Sequence, residues 1–306
     1  MTIVENAYAK INLHLDVTGR LNGEYHRVET VMLAVSLCDT LIVTATGERD
    51  KIRVRGSVRD LPRGTDNLAG KAAMQFFEAI GSDHGAVIFI KKRIPVAAGL
   101  AGGSADAAAT LRALNRLYDL PLSREKLTEV AAAVGTDVPF CLNGGTAYAD
   151  GRGERLHPFA FMPGCAIVVA CAGEEVSTPW AYRLLDERWN GFSEASAYKP
   201  RGVQALRMAM KSGDLAALGD ATYNIFEEPV SAERPMVSEI RRRMNAGGAV
   251  VARMSGSGPA VFGIFESETQ ATDVCNALKQ DGIFAAVCRP LGMMKKFFPD
   301  STYIPE

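Results

Sequence analysis

Residues 95–110 read Pro-Val-Ala-Ala-Gly-Leu-Ala-Gly-Gly-Ser-Ala-Asp-Ala-Ala-Ala-Thr and run straight into a helical pattern. A glycine cluster ahead of a helix offers unpaired backbone N–H groups and the positive end of the helix dipole. It also lets the main chain come close to a phosphate. Gly99, Gly102, Gly103 and the Ser104 hydroxyl stand where such a cradle needs them; the same composition also suits plain close packing of a helix on a strand. Three other segments carry reactive groups. Lys10 and Asn12 lie two residues apart in an apolar β context, so period-two alternation puts both side chains on one face. Asp137, in Gly-Thr-Asp-Val-Pro at the end of an apolar helix, offers a carboxylate that serves either as a cap or as a proton acceptor. Residues 255–259, Ser-Gly-Ser-Gly-Pro, form a glycine turn between two strands.

Together these point to phosphate chemistry, and not of the commonest kinds. Gly64 and Gly70-Lys71-Ala72 have the wrong spacing for a Walker A loop and no hydroxyl after the lysine. His-Arg-Asp and Asp-Phe-Gly, the marks of protein kinases, are missing, and so is the dinucleotide Gly-x-Gly-x-x-Gly. The six cysteines are scattered without a Cys-x-x-Cys pair and the four histidines lack ligand spacing. They predict reduced thiols in a cytoplasmic protein, and any metal as an oxygen-bound ion that arrives with the substrate.

The elements that must hold these groups follow from periodicity. The first fifty-odd residues read as β, ending in Lys51-Ile52-Arg53-Val54-Arg55, a strand with one wet face. A helix is predicted over 67–80, on Leu68, Ala72, Phe76 and Ile80. A strand then leads to Pro95, and the helix after the glycine run turns Ala107, Leu111, Leu114 and Tyr118 inward. Ser123 caps a further helix on Leu127, Val130, Ala131 and Val134, which stops at Gly135. Gly-rich residues 143–153 predict a hairpin near a domain boundary. Beyond it come strand 165–171, helices, two strands around the 255–259 turn, a helix over 269–279 and a last strand. This order suggests an antiparallel sheet with helices on one face.

With 306 residues the chain is long for a single core, so two domains are expected. The 34 Lys and Arg against 35 Asp and Glu leave a net charge of −1. That balance argues against a duplex-binding protein. No apolar run reaches membrane-spanning length, and Glu5, Lys10 and Asp16 break up the N-terminal segment, so neither a membrane span nor a signal peptide is expected.

The segments Ala-Tyr-Ala-Lys-Ile-Asn-Leu (7–13), Glu24-Tyr25-His26, Asp66-Asn67-Leu68, residues 95–115, Gly-Thr-Asp-Val-Pro-Phe (135–140) and residues 254–263 together resemble the GHMP kinase superfamily over nearly the whole chain. More narrowly they are similar to its branch that phosphorylates a cytidyl-diphospho sugar alcohol in isoprenoid precursor synthesis. The resemblance implies an α+β GHMP kinase fold, with an N-terminal ribosomal S5 domain-2-like domain (1–158), a C-terminal ferredoxin-like domain (159–292) and a tail (293–306). It implies ATP with Mg²⁺ and a small-molecule acceptor, with neither nucleic acid nor membrane as partner. Lys10 and Asp137 would be the catalytic pair. Pro95, Val96, Ala97, Ala98, Gly99, Leu100, Ala101, Gly102, Gly103, Ser104 and Ala105 would wrap the ATP phosphates, with Ser104 nearest the metal. Asn67 and Leu68 would lie towards the adenine. Asn12, Tyr25, His26, Thr178 and Tyr182 would hold the substrate, with Trp180 competing with Tyr182 as the second stacking ring. Glu24 stands where the family usually has glycine, so the turn before Tyr25 is expected to be re-formed. Two other readings stay open: a homoserine- or mevalonate-type kinase of the same fold, and a catalytically silent nucleotide- or RNA-binding module.

Overall fold

The computed structural model describes all residues except 22–24, 48–50, 60, 174, 193–197 and 294–306; the Glu24 turn and nearly all of the tail lie outside the described residues. Two long antiparallel strands, β1 (Thr2–Leu21) and β2 (Tyr25–Thr46), form the spine of the first half. Along β1, Ala7, Ala9, Ile11 and Leu13 enter the main core, while Lys10, Asn12, His14 and Asp16 are also buried. A strand buried on both faces and polar on one is unusual, because buried polar groups need partners. Those partners are the site described below.

Next come β3 (Ile52–Gly56), α1 (Leu68–Ala79), β4 (Gly85–Lys91), α2 (Gly102–Leu117), α3 (Arg124–Val134), α4 (Val138–Asn143), β5 (Thr146–Asp150) and β6 (Arg155–Pro158). Ser123 caps α3 as the sequence predicts, accepting from the Lys126 N–H, whereas Asn67, expected inside the first helix, is the cap of α1 and accepts from the Ala69 N–H. The four predicted inner residues of α3 are buried. The Gly-rich hairpin is the β5–β6 pair, with its turn at 151–154. Buried Arg112 of α2 ties three elements together. Its Nε bonds Glu5 at 3.0 Å, and its terminal nitrogens donate to the Asn6 carbonyl at 2.7 Å and the Cys141 carbonyl at 2.9 Å. Helix α4 is thereby held against β1.

The second half runs β7 (Ala166–Cys171), α5 (Thr178–Arg188), α6 (Gln204–Ser212), α7 (Leu215–Ala221), β8 (Tyr223–Asn224), α8 (Glu227–Glu233), α9 (Pro235–Ala246), β9 (Val251–Met254), β10 (Val261–Phe265), α10 (Glu268–Gln280) and β11 (Phe284–Cys288). Its antiparallel sheet has the order β11-β7-β10-β9, the ferredoxin-like arrangement, with α9 and α10 on one face. The other face is covered too, which the sequence reading did not foresee. Ile167, Val169, Phe262 and Ile264 join the main core of the first half, whereas Ala166, Val168, Ala170, Val261 and Phe265 face the second cluster. Burial on both faces is why β7 is an unbroken apolar run.

The halves interlock. Strand β8 pairs with β1 through His14–Tyr223 and Leu15–Asn224, completing the order β3-β4-β2-β1-β8. After β11 the chain returns across β2: Leu291 N–H donates to the Ala34 carbonyl, and Met293 bridges Gly144. The first residue of the expected tail is thus packed. No disulfide links the six cysteines, and no described helix is long and apolar enough to cross a membrane.

Candidate active site

A cavity of about 640 Å³ opens where the two halves meet. One wall is the loop 95–101 and the first turn of α2. Positive φ falls on Gly99 (79°) and also on two alanines, Ala97 (51°) and Ala101 (55°), a conformation that costs a side-chain-bearing residue energy and marks a loop held by its surroundings. Gly102 and Gly103, by contrast, are helical and open α2. A Cβ on Gly102 would stand 3.1 Å from Ile94 and 3.2 Å from the Lys92 ammonium, so its smallness serves close approach, not an unusual φ. The first backbone bond of α2 runs from the Ala105 N–H to the Ala101 carbonyl, which leaves the Gly102, Gly103 and Ser104 N–H groups at the open end of the helix.

The turn 255–259 locks this loop from the other half. Ser255 Oγ donates to the Gly99 carbonyl at 3.1 Å and accepts from the Asn12 N–H at 3.3 Å, while the Ala260 N–H donates to the Ala98 carbonyl. A Cβ on Gly99 would lie 2.2 Å from the Ser255 carbonyl oxygen. What reads in sequence as a plain tight turn is a backbone clamp, and no spacing rule signals it.

At the cavity floor, Lys10 Nζ donates to Asn12 Oδ1 at 2.7 Å and to the Gly99 carbonyl at 3.3 Å, and stands 3.7 Å from Asp137 Oδ2. Asn12 Nδ2 in turn donates to Thr30 Oγ1, which donates to the His14 carbonyl. Both amide ends of Asn12 are thereby assigned, and its oxygen faces the ammonium. Asp137 is the N-cap of α4 but makes no capping hydrogen bond. Its carboxylate is left for Lys10 and the cavity, about one-third exposed.

Beneath the loop lies a second charged group that the sequence reading passed over. Lys92 Nζ is 2.5 Å from Asp39 and 3.0 Å from Asp106, both buried, and Asp39 also accepts the Arg93 and Ile94 N–H groups. Burial opposes the charge on Lys92, but the two carboxylates outweigh it and raise its pKa. Burial pushes the Asp106 carboxyl up to about 7, with Asp39 reinforcing the shift and Lys92 opposing it.

Of the residues singled out from the sequence, Lys10, Asn12, Asn67, Leu68, Pro95 to Gly99, Ala101 to Ser104, Asp137, Thr178 and Tyr182 line this one cavity. The side chains of Leu100 and Ala105 do not; they are buried in the core, although the Leu100 carbonyl receives the Lys10 N–H. The Asn67 amide is taken up by the Ala69 N–H and the Pro62 carbonyl. Thr178 and Ser257 share a hydrogen bond at 3.1 Å across the rim.

Tyr25 and His26 stand outside the cavity lining. Tyr25 is 55% exposed, with the Arg152 guanidinium 5.2 Å above its ring. His26 stacks on Tyr182 at 4.5 Å, so the two rings close on each other instead of forming an open slot. Burial, with the Asp137 and Asp186 charges, pushes the Tyr182 hydroxyl up to about 12. Trp180 lies away from the cavity, under Arg234. The residues missed from sequence are Lys92, Asp106, Arg152 in Gly-Arg-Gly, and Asp186; only Arg152, flanked by glycines in a turn, had any local signal.

A strained loop before a helix, clamped by a second-half turn and faced by a Lys–Asp pair, is an arrangement suited to holding a phosphorylated small molecule. Residues 67–145 match the family described as GHMP kinases N terminal domain, and residues 206–283 match GHMP kinases C terminal. The fold is therefore the GHMP kinase fold. The chain is 42% identical to 4-diphosphocytidyl-2-C-methyl-D-erythritol kinase of Bacillus pumilus, over 91% of this chain and 93% of that protein. It is 40% identical to the enzyme of that name from Gloeobacter violaceus, over 94% of each. A crystal structure of 4-(cytidine 5'-diphospho)-2C-methyl-D-erythritol kinase superposes with a TM-score of 0.77 at 35% identity, covering 95% of this chain and all of that one. Homoserine kinase from Cytophaga hutchinsonii has a TM-score of 0.73 at 18% identity, covering 95% of each chain, and shares the fold. The chain belongs to the 4-diphosphocytidyl-2-C-methyl-D-erythritol kinase family of ATP-dependent small-molecule kinases.

Proposed function

We propose that this chain transfers the γ-phosphoryl group of ATP to the 2-hydroxyl of 4-diphosphocytidyl-2-C-methyl-D-erythritol, in the non-mevalonate route to isoprenoid precursors. The observation that carries the reading is the Lys10–Asp137 pair, 3.7 Å apart, in the same cavity as the open N-terminus of α2. Phosphoryl transfer needs positioning, charge compensation and a proton acceptor more than covalent chemistry from the protein. Asp137 orients the acceptor hydroxyl and takes its proton as the new P–O bond forms. Lys10, held by Asn12, compensates the charge that gathers between the carboxylate and the transferring group. The backbone of 95–105 receives the phosphates, with the wall of Asn67 and Leu68 towards the adenine. The cytidyl part of the substrate lies towards Tyr25, His26, Tyr182 and Thr178.

The donor set suits an ion that comes with the nucleotide. The Ser104 hydroxyl lines the cavity, and the described residues contain no group of three or more His, Cys, Asp or Glu able to hold a metal. Mg²⁺ would be held by Ser104 and phosphate oxygens, and would supply charge neutralisation. The same reading takes 1–158 and 159–292 as two domains: the four-stranded sheet lies wholly within the second range, although β8 of that range joins the first sheet. Six scattered cysteines that form no disulfide support a reducing, cytoplasmic location. A coupled ADP-release assay with the cytidyl substrate, homoserine and mevalonate tests the reading: turnover of the cytidyl substrate alone is expected, and preference for either other acceptor overturns it.

A further inference from the structure

Asp186 of α5 carries no role in the reading above, yet it meets the imidazole proposed for the nucleobase. Its Oδ1 lies 2.7 Å from His26 Nε2 and 2.7 Å from the Arg20 guanidinium, and Arg20 Nε also donates to the Gly191 carbonyl at 2.7 Å. A carboxylate oxygen compensated by a guanidinium accepts; it does not donate. In the neutral imidazole the proton must then sit on Nε2, which leaves Nδ1 with a bare lone pair. The ring is packed between Tyr182, stacked at 4.5 Å, and Phe192, edge-on at 5.8 Å. His26 Nδ1 makes no hydrogen bond to a described residue and is not among the enclosed unpartnered atoms.

We infer that Asp186 is a positioning residue that makes His26 Nδ1 an obligatory acceptor, so that the site selects a base with an exocyclic amine over one with a carbonyl at the same place. This rests on the functional reading above, in which His26 faces the base. An amine donates to Nδ1; a carbonyl would set two acceptors against each other, an arrangement that sites built on buried hydrogen bonds reject strongly.

The test compares kcat/KM for the cytidine-diphosphate substrate and its uridine analogue at about pH 8, where an ordinary imidazole is neutral. Wild type is compared with Asp186→Leu and Asp186→Glu, and ¹⁵N spectra of the wild type report which His26 nitrogen is protonated. The expected result is a proton on Nε2. Asp186→Leu should lower the cytidyl-to-uridyl preference on the order of tenfold, mostly through the cytidyl KM, with the KM for ATP unchanged. Asp186→Glu, which keeps an acceptor, should retain the preference. A proton on Nδ1 in the wild type overturns the inference whether or not the variants fold. Equal losses on both substrates, which a merely structural role predicts, overturn it as well. Failure of the wild type to turn over either nucleotide substrate removes the functional reading and this inference together; turnover with an unchanged ratio removes the inference alone.

Discussion

The place proposed for the phosphates and the place proposed for the base are built on opposite plans. The phosphate end is made of backbone: an alanine–glycine loop at positive φ, the open turn of α2, and a clamp of main-chain and serine contacts from 255–260. The base end is made of side chains, with His26 on Tyr182, Asp186 on His26 and Arg152 over exposed Tyr25. Most partners at the phosphate end are main-chain groups that cannot rotate away. At the base end the aromatic rings satisfy one another, and a ligand has to displace one such contact to stack. A backbone-made site is pre-organised for a group common to all nucleotides, and a side-chain-made site leaves the choice of substrate to rotamers.

Breaking the chemistry between the two ends should have the largest effect. Asp137→Asn preserves size but removes the charge and the proton acceptor, so kcat is expected to fall on the order of a hundredfold or more while both ligands still bind. Single-turnover phosphoryl transfer beside calorimetry checks this; a folded variant with wild-type rate would reduce Asp137 to a turn residue, a role its missing cap bond already argues against.

The rigid end is probed by two glycines. Gly99→Val drives a Cβ to within 2.2 Å of the Ser255 carbonyl at φ 79°, with no flexible atom to yield. Strain of about 2 kcal/mol should weaken ATP binding on the order of tenfold or more. Gly102→Val meets only side chains, at 3.1–3.2 Å, and should do less. Equal ATP affinities for the two variants would contradict a clamped loop.

At the side-chain end, Tyr182→Ala should raise the KM for the cytidyl substrate on the order of tenfold, the worth of one stacked ring, and leave that for ATP alone. Equal rises in both would merge the two ends into one.

A last effect, on stability and not on turnover, concerns β1, which serves both ends. Burial, helped by the Arg201 charge, pulls His14 down to about 4. The unfolded chain binds this proton first, so the stability from neutral His14 is full above the unfolded value of 6.5 and is lost as pH falls towards 4. Asp106, raised to about 7, acts with the opposite sign over part of that range. Subtracting a His14→Leu variant isolates the histidine. The stability difference between wild type and variant should shift by about 2 kcal/mol between about pH 7 and pH 5 in urea titrations. A flat difference would mean that His14 is hydrated.

Local chemistry wrote much of this protein openly. The helix cap at Ser123, the inner face of α3, the helix that follows the 95–101 loop and the shared face of Lys10 and Asn12 all depend on contacts within a few residues, and the structure agrees with each. Periodicity and capping are short-range, so a sequence records them directly. The rest joins residues far apart in the chain. Ser255 meets Gly99 across 156 positions, Lys10 meets Asp137, and Lys92 is set between Asp39 and Asp106. Asp186 reaches His26 across 160 positions, β8 joins β1, and the second sheet is buried on both faces. No spacing rule encodes these pairings, because each forms only when packing of the two halves excludes water and forces buried polar groups to find partners in whatever lies opposite.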